Sequence, residues 1–472
     1  MPSLYMDAAK PQRYFWLIIL AAASLLPSLN LYYIGEEAIF PITSMEMQQN
    51  KLWFIQHLYG TDVRHNPLFN WLIIPLGNLF GWAHVEVIAR AITISATWMS
   101  AVILSWLCLK LFGERSFAAF AALVYLTFSD VMSYHGWLAY VDPLFAMFIF
   151  GAIAALWVAC VEQRNNLLLL AAFAISCAFL SKAFTAYIFY GVAVLVLTLN
   201  KSNRTTLFSP ASLLTHIAIL SVPFLWFSVL PSGNEQSGRM LAEISAKLAW
   251  PSIGEYLLRL ISFPLETWTG LLPGGGLLIY FALRGRIKNG AAQPQHLRTA
   301  LLIAGVNFLP YWLSPHGGMR YLIPIYPLFA LVIARLIWRA GDDALRLTKK
   351  WLMAAVIFNF FVLLVLFPYY QAHYRGENYS TTATDILEIS RGYDVYITDV
   401  SASGLNVAAY INQQRYPHST LQWPPANLIS GFIISRTAEP GAGQISKQYQ
   451  LLGDTIYLLC RGVACGNGLP LK

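Results

Sequence analysis

A series of apolar runs, each roughly 18 to 22 residues long, is the feature that most constrains this fold, because a helix of about 20 apolar residues crosses a hydrocarbon core about 30 Å thick. Of the 472 residues, 57% are apolar and only 11% are charged. Soluble domains carry about 25% charged residues. An ordinary water-soluble globule is thereby excluded, and the sequence predicts a polytopic α-helical membrane protein.

The formal charge of +8 raises the question of nucleic-acid binding. The Lys and Arg residues, however, stand in short clusters between the apolar runs rather than along one soluble face. Clusters of this kind are topology signals, because cytoplasmic connections of membrane proteins are enriched in Lys and Arg. We therefore expect no nucleic-acid partner.

The apolar runs predict eleven spans, at 14–33, 84–111, 116–133, 143–160, 166–181, 184–200, 211–230, 264–283, 298–314, 322–340 and 351–369. Lys10 and Arg13 precede the first span and place the N-terminus in the cytoplasm. A secretory signal is the alternative for this run, but no small-residue cleavage site follows it. An odd number of spans puts the C-terminus outside. The weakest point is 166–200, since a single span there would invert everything after it.

Three segments are then expected on the outer face. The loops 35–83 and 231–263 are amphipathic and predict helices that lie along the membrane interface. The tail 370–472 has a soluble composition and short β-type runs, which predict a small extracytoplasmic α/β domain. The predicted domains are therefore 1–369, which spans the membrane, and 370–472. Cys460 and Cys465 both fall in this tail, where a disulfide and two free thiols are equally open alternatives and a metal site is disfavoured.

Polar residues near the outer ends of the spans are the candidates for a site, because polar groups are costly at membrane depth. Glu36 and Glu37 directly follow the first span, Asp142 opens the fourth, and Lys182 lies at an outer turn. Each has a structural alternative: a helix end for the glutamates, an N-cap for Asp142 and a snorkelling side chain for Lys182. The further candidates on this face are Arg64, His65, Glu255, Arg259, His316, Arg320 and Tyr321.

These residues bring carboxylates and cations to one face of the bilayer. A base that activates a hydroxyl and cations that hold a phosphate are the minimum for transferring a group from a lipid phosphate. The sequence has no Gly-rich phosphate loop. A donor presented from the membrane therefore fits better than a cytosolic nucleotide sugar.

Motifs that occur in order along the chain carry a resemblance to a known family. They are GEEAIFPITSMEMQQNKLWFIQHLYG running into HNPLFNWL, VEVIARAITI with Glu86 and Arg90, LAYVDPLFAMF, FLSKAF and RYLIPIYPLFALVIA. This order is similar to that of the GT-C glycosyltransferases of the protein-mannosyltransferase type, which include the bacterial lipid A aminoarabinose transferases. The resemblance covers about residues 14–340.

The resemblance implies a bacterial inner-membrane enzyme that transfers a sugar with inversion, on the periplasmic face, from a polyprenyl-phosphate donor to a lipid, glycan or protein acceptor. It makes Glu36 the general base, with Glu37 beside it and Asp142 as the residue that orients the outer loops. Lys182, Arg320 and Tyr321 would bind the donor phosphate, with Arg64 or His65 supplying the charge that the family takes from a Lys where this chain has Asn66. The assigned substrate contacts are His316, Glu255 and Arg259.

No metal ligand is assigned, no cofactor is certain, and a divalent metal stays an open alternative. A non-catalytic flippase or assembly subunit on the same scaffold is the alternative function. A secondary transporter is disfavoured, because no inverted repeat is visible and the span centres carry few ionisable residues.

Overall fold

The computed structural model describes residues 12–63, 65–230, 252–287, 294–374, 378–439, 443–451 and 453–467. The chain forms two compact units. The first contains residues up to Leu26, Thr93–Trp137 and Val141–Phe360, and the second contains Pro27–Ile92, Leu138–Tyr140 and the chain from Phe361 onward. Each unit has its own hydrophobic core.

The first unit is helical. Its described helices are Gln12–Ala23, the later part of Val85–Phe112, Arg115–Leu126, Asp142–Glu162, Asn166–Lys182, Thr185–Thr198, Lys201–Leu207, Pro210–Val229, Ile253–Gly270, Gly274–Leu283, Pro294–Leu313, Tyr326–Arg339 and Asp342–Phe361. A 3-10 turn, Met319–Ile325, leads into Tyr326–Arg339. It forms where Pro324 and Pro327 interrupt the regular hydrogen bonding of an α-helix.

Five described helices are long and apolar enough to cross a membrane, by length and composition: Trp82–Phe112, Asp142–Glu162, Pro210–Val229, Met319–Arg339 and Asp342–Tyr374. Helix Asp142–Glu162 has 78% of its apolar stretch buried, whereas Pro210–Val229 has only 17% buried. An apolar helix that is exposed to this degree is stable only in a nonpolar solvent such as lipid. The prediction of a polytopic α-helical membrane fold is confirmed.

The difficult stretch 166–200 forms two helices, Asn166–Lys182 and Thr185–Thr198, as the charge pattern predicted. Ala183 makes the turn with a positive φ of 57°, and its N–H donates to the carbonyl of Phe179 at 2.8 Å. The positive φ is unusual for a residue with a side chain. A glycine would adopt this turn without strain.

The prediction of one span at 264–283 is wrong. Helix Ile253–Gly270 ends within this range, and a separate helix, Gly274–Leu283, follows it. Pro273 lacks an N–H and cannot continue the first helix. The carbonyls released at the break are bound instead by Ser129, whose N–H donates to Leu272 O at 2.7 Å and whose hydroxyl donates to Thr269 O at 2.5 Å.

The second unit contains helices Ile39–Asn50 and Leu68–Phe80 of the first outer loop. Between them lies a hairpin of two short strands, His57–Leu58 (β1) and Thr61–Asp62 (β2). Helices are therefore present in 35–83, as the amphipathic pattern predicted. Of the second outer loop, 231–251 lie outside the described residues.

The rest of the second unit comes from the tail. It contains helices Phe367–Tyr374, Tyr379–Ile389 and Ala402–Arg415, with strands Val395–Ile397 (β3), Gly431–Ser435 (β4), Gln444–Leu451 (β5) and Asp454–Arg461 (β6). The sheet has the order β3-β4-β6-β5, with β3 parallel to β4 and the other pairs antiparallel. Cys460 and Cys465 are bridged, which decides between the two alternatives that the sequence left open.

The core of the second unit joins the tail to the first outer loop. Tyr33, Ile42 and Tyr59 of the loop pack in one buried cluster with residues such as Ile397 and Leu458 of the sheet. The division into 1–369 and 370–472 therefore differs from the observed packing units. Sequence composition separates the two segments, but it carries no information about which segments share a core.

Candidate active site

The acidic pair Glu36-Glu37 lies in a tight turn after the first span. Gly35 has a φ of +58°, and a Cβ on it would lie 2.7 Å from the hydroxyl oxygen of Tyr140. Both the left-handed backbone and this close approach favour glycine. The two glutamates differ in burial: Glu36 is exposed, and Glu37 is completely buried.

Glu37 is held by four hydrogen bonds. Its Oε1 accepts from Arg90 Nε at 2.9 Å and from Ala139 N at 2.6 Å, and its Oε2 accepts from Arg90 Nη2 at 2.6 Å and from Ile34 N at 2.7 Å. A carboxylate has about four acceptor sites, so no oxygen is left to take a substrate proton. Glu37 therefore anchors the loop, and its catalytic role stays a prediction that these contacts do not support.

Arg90 fixes the backbone that leads into the acidic pair. Its guanidinium is fully buried and donates to the carbonyls of Ser28 and Tyr32 at 2.9 Å each, and also to that of Leu31. Glu86, one helical turn before Arg90, lies 3.5 Å from Arg90 Nη1. The motif that the sequence linked to a known family is thus a positioning network.

Glu36 is arranged differently from its neighbour. Its backbone N–H donates to the hydroxyl of Tyr140 at 3.1 Å, which fixes the main chain. Its carboxylate is exposed. A carboxylate on a fixed backbone, open to an incoming hydroxyl, has the arrangement that a general base needs. Tyr140 was not among the residues predicted, although it lies in the quoted LAYVDP motif.

In the first unit, Asp142 and Lys182 form an ion pair, with side chains 6% and 22% exposed. Asp142 is the first residue of helix Asp142–Glu162, and the N-cap residue of this helix is Val141. The N-cap alternative for Asp142 is therefore wrong. Lys182 is the last residue of its own helix, so the pair joins the ends of two helices.

Arg320 and Tyr321 extend this cluster. The Lys182 ammonium lies 4.5 Å from the centroid of the Tyr321 ring, and the Arg320 guanidinium lies 5.2 Å from it. Arg320 Nη2 also donates to the Tyr321 hydroxyl at 3.2 Å, and Tyr311 stacks on Tyr321 at 5.8 Å. The structure thus brings together Asp142, Lys182, Arg320 and Tyr321, as the prediction of a phosphate-binding group requires.

The assigned substrate contacts are arranged less simply. Arg259 donates to the carbonyl of Gly317, and its Nη1 lies 3.7 Å from Glu266 Oε2. His316, which is exposed, directly precedes Gly317 in the sequence. Glu255 forms a capping box with Ser252 at the start of helix Ile253–Gly270. Capping alone explains Glu255, so its substrate role has no support from these contacts.

The two cations predicted in the first outer loop are only partly described. Arg64 lies outside the described residues. His65 is half-buried and packs against the Phe40 ring at 5.7 Å. Among the predicted cations, Lys182 and Arg320 are therefore the two that share a contact, the Tyr321 ring.

One polar group was not found from the sequence. Asp130 is buried, and its carboxylate contacts His135 Nδ1 at 2.7 Å and accepts from the Tyr326 hydroxyl at 2.9 Å. Tyr326 is far from Asp130 in sequence, and His135 lies in a π-helical turn, Val131–His135. No spacing rule for regular helices would have grouped them.

A divalent metal was left open by the sequence. Within the described ranges, no three His, Cys, Asp or Glu side chains are grouped closely enough to hold a metal ion. We assign no step of the reaction to a metal.

Comparison with known proteins adds to this geometry. No known family profile matches the chain. The undecaprenyl phosphate-alpha-4-amino-4-deoxy-L-arabinose arabinosyl transferase of Edwardsiella ictaluri is 25% identical over 332 residues, which cover 66% of this chain and 57% of that protein. The protein of the same name from Erwinia tasmaniensis is 26% identical over 366 residues, which cover 72% and 62%. The chain thus spans about three fifths of the length of the curated relatives that it matches.

Solved structures show the same fold. ArnT from Cupriavidus metallidurans, crystallised with undecaprenyl phosphate, matches with a TM-score of 0.72 at 12% identity, over 98% of this chain and 100% of that chain. The Archaeoglobus fulgidus oligosaccharyltransferase tethered to an acceptor peptide matches with a TM-score of 0.53 at 13% identity, over 85% and 63%. At these identities the likeness shows the fold alone. The chain has a polytopic GT-C membrane fold, and its resemblance to the GT-C glycosyltransferases of the lipid A aminoarabinose transferase type, which its motifs indicated, is confirmed.

Proposed function

We propose that the protein is an inverting membrane glycosyltransferase that takes a sugar from a polyprenyl-phosphate donor and transfers it to a lipid, glycan or protein acceptor. The observation that carries this proposal is the difference in burial between Glu36, which is exposed, and Glu37, which is buried. One carboxylate is exposed on a loop that the other anchors, which is the arrangement expected of a positioned base. The named relatives, which are undecaprenyl-phosphate sugar transferases, support the same reaction class.

In the proposed reaction Glu36 accepts the proton of the acceptor hydroxyl. The hydroxyl oxygen bonds to the anomeric carbon of the sugar while the bond from that carbon to the phosphate oxygen breaks. The polyprenyl phosphate leaves with the electron pair of that bond. A hydroxyl is a poor nucleophile near neutral pH, so a positioned base contributes about 100- to 10,000-fold to the rate.

Lys182, Arg320 and Tyr321 are proposed to bind the donor phosphate. The leaving phosphate gains negative charge as the bond breaks, and cations already in place stabilise it without reorganisation. Asp142 pairs with Lys182 and fixes the direction of its ammonium group. Tyr321 gives both cations an aromatic face to lie on, which keeps them close together.

The proposed topology places the N-terminus in the cytoplasm and the C-terminus in the periplasm of the bacterial inner membrane. The Lys and Arg clusters at 284–298 and 335–350 support it, because they then lie in cytoplasmic connections. An alkaline-phosphatase fusion after Lys472 should be active, and a fluorescent-protein fusion there should be dark. The reverse pattern would overturn the topology.

The function is tested with purified protein and a panel of radiolabelled polyprenyl-phosphate sugars, in the presence of membrane lipid, glycan and peptide acceptors. Labelled product should form with at least one donor. A parallel arm with chelator measures whether a divalent metal is required. A protein that moves the labelled lipid across vesicle membranes but makes no product would instead be the non-catalytic flippase, which is the alternative function.

A further inference from the structure

The segment Tyr32-Tyr33, immediately before the acidic turn, is held by residues more than 300 positions later in the chain. Gln371 bonds the backbone of Tyr32 twice: it accepts from Tyr32 N at 3.3 Å and donates to Tyr32 O at 3.3 Å. Gln413 Nε2 donates to the hydroxyl of the fully buried Tyr33 at 2.9 Å. Two tail helices therefore fix the two residues that precede the loop.

Tyr410 links the tail to the arginine that anchors the loop. Its hydroxyl donates to Glu86 Oε2 at 2.7 Å, and Glu86 is paired with Arg90. Its ring lies 5.3 Å from that of Tyr33 and is itself only 7% exposed. The contacts thus run from Tyr410 through Glu86 and Arg90 to Glu37, which adjoins Glu36.

The charges of this network explain why Tyr410 matters. Glu37 and Glu86 are both directed at the single guanidinium of Arg90. Glu37 has two hydrogen bonds from Arg90 and two from backbone amides, whereas Glu86 touches Arg90 only at 3.5 Å. The Tyr410 hydroxyl supplies a hydrogen bond to Glu86 Oε2. Without it, a poorly solvated Glu86 would compete with Glu37 for Arg90.

We infer that the tail positions the general base, with Tyr410 as the main positioning residue and Gln371 and Gln413 as supports. This inference rests on the proposed function. Glu36 has to keep its carboxylate in reach of an acceptor hydroxyl, and a displacement of about 1 Å in such a geometry costs about 100-fold in rate. The tail therefore sets turnover without touching the reacting atoms.

Tyr410→Phe tests this inference, because it keeps the ring and removes only the hydroxyl. The matched control is Tyr449→Phe, which removes another buried tail hydroxyl that donates to a carboxylate, Asp385, at 2.5 Å. Tyr410→Phe should lower kcat by about 10- to 100-fold and leave KM for the lipid donor unchanged. Tyr449→Phe should leave both constants unchanged.

Hydrogen exchange of the peptide that covers residues 30–40 gives a readout that is independent of turnover. It should become faster in Tyr410→Phe and stay unchanged in Tyr449→Phe. If Tyr410→Phe does not fold, Gln413→Leu replaces it, with the exposed neighbour Gln414→Leu as its control; the same pattern is expected with a smaller loss of kcat.

The outcomes separate this inference from the proposed function. An inactive wild-type protein with no accepted donor would contradict the proposed function, while the exchange data would still test the positioning. An active wild-type protein whose Tyr410→Phe variant turns over as fast as Tyr449→Phe would overturn the inference. Equal exchange of residues 30–40 in both variants would overturn it as well.

Discussion

Glu37 and Arg90 form a fully buried bidentate ion pair, with Nε to Oε1 at 2.9 Å and Nη2 to Oε2 at 2.6 Å. Removal of one partner from a buried pair leaves an uncompensated charge, which costs about 3–5 kcal/mol. The pair also ties the acidic turn to the start of helix Val85–Phe112. Loss of this ion pair should therefore lower the stability of the protein more directly than it lowers the reaction rate.

Glu37→Gln should lower the unfolding temperature in detergent, by the equivalent of about 3–5 kcal/mol. The matched control is Glu162→Gln, which breaks the partly exposed pair with Lys110 at 2.7 Å and should cost only about 0–1 kcal/mol. Equal shifts in the two variants would mean that Glu37 is not the anchor of the loop.

The burial of the Glu46 carboxylate predicts that the stability of the second unit depends on pH. Its carboxylate is completely buried and accepts from Tyr59 N at 2.7 Å and Gly60 N at 3.1 Å. Burial raises the pKa of Glu46 to about 7, although these two hydrogen bonds oppose the change. A raised pKa means that the folded protein holds this proton more tightly than the unfolded chain does.

The contribution of Glu46 to the free energy of unfolding is therefore largest below about pH 4.5 and is lost as the pH rises through about 7. The loss is at most about 3.5 kcal/mol, since the pKa rises from 4.5 to about 7 and one pKa unit corresponds to about 1.4 kcal/mol. Unfolding temperatures measured between pH 5 and 8 should fall more steeply for the wild type than for Glu46→Gln. Parallel curves for the two proteins would contradict the assignment.

Arg320 should govern the affinity for the lipid donor. A charge-assisted contact to phosphate is worth about 1.5–3 kcal/mol, so Arg320→Ala should raise KM for the donor by roughly 10- to 150-fold. A contact made only in the transition state would lower kcat instead. The control Arg346→Ala removes an arginine whose side chain is 71% exposed, and unchanged donor dependence in both variants would remove Arg320 from the site.

The membrane fold could be predicted from the sequence because each span is a local pattern of apolar residues. The division of 166–200 into two helices was predicted from charge, because a single span there would place the cation clusters at 284–298 and 335–350 outside. The break after Gly270 was missed, because Leu271, Leu272 and Pro273 keep the run apolar, and hydropathy does not register a missing N–H. The pairing of Ser129 with this break is a tertiary contact that no local pattern contains.

Residue types predict candidates for the site but not what each candidate contacts. The adjacent acids Glu36 and Glu37 look alike in sequence, yet Glu36 is exposed, whereas Glu37 is buried and bound by Arg90. Tyr410 carried no signal, since its partner Glu86 lies 324 residues earlier. Long-range contacts of this kind are invisible to periodicity and spacing.

The most direct test of the central claim is the turnover of Glu36→Gln with a polyprenyl-phosphate sugar donor that the wild type accepts. The substitution keeps the size of the side chain and removes its basicity, so kcat should fall by about 100- to 10,000-fold, while expression and donor binding stay intact. Glu36→Asp should keep part of the activity, and the control Glu388→Gln, at an exposed position of helix Tyr379–Ile389, should keep all of it. Near-normal turnover in Glu36→Gln would contradict the assignment of Glu36 as the general base.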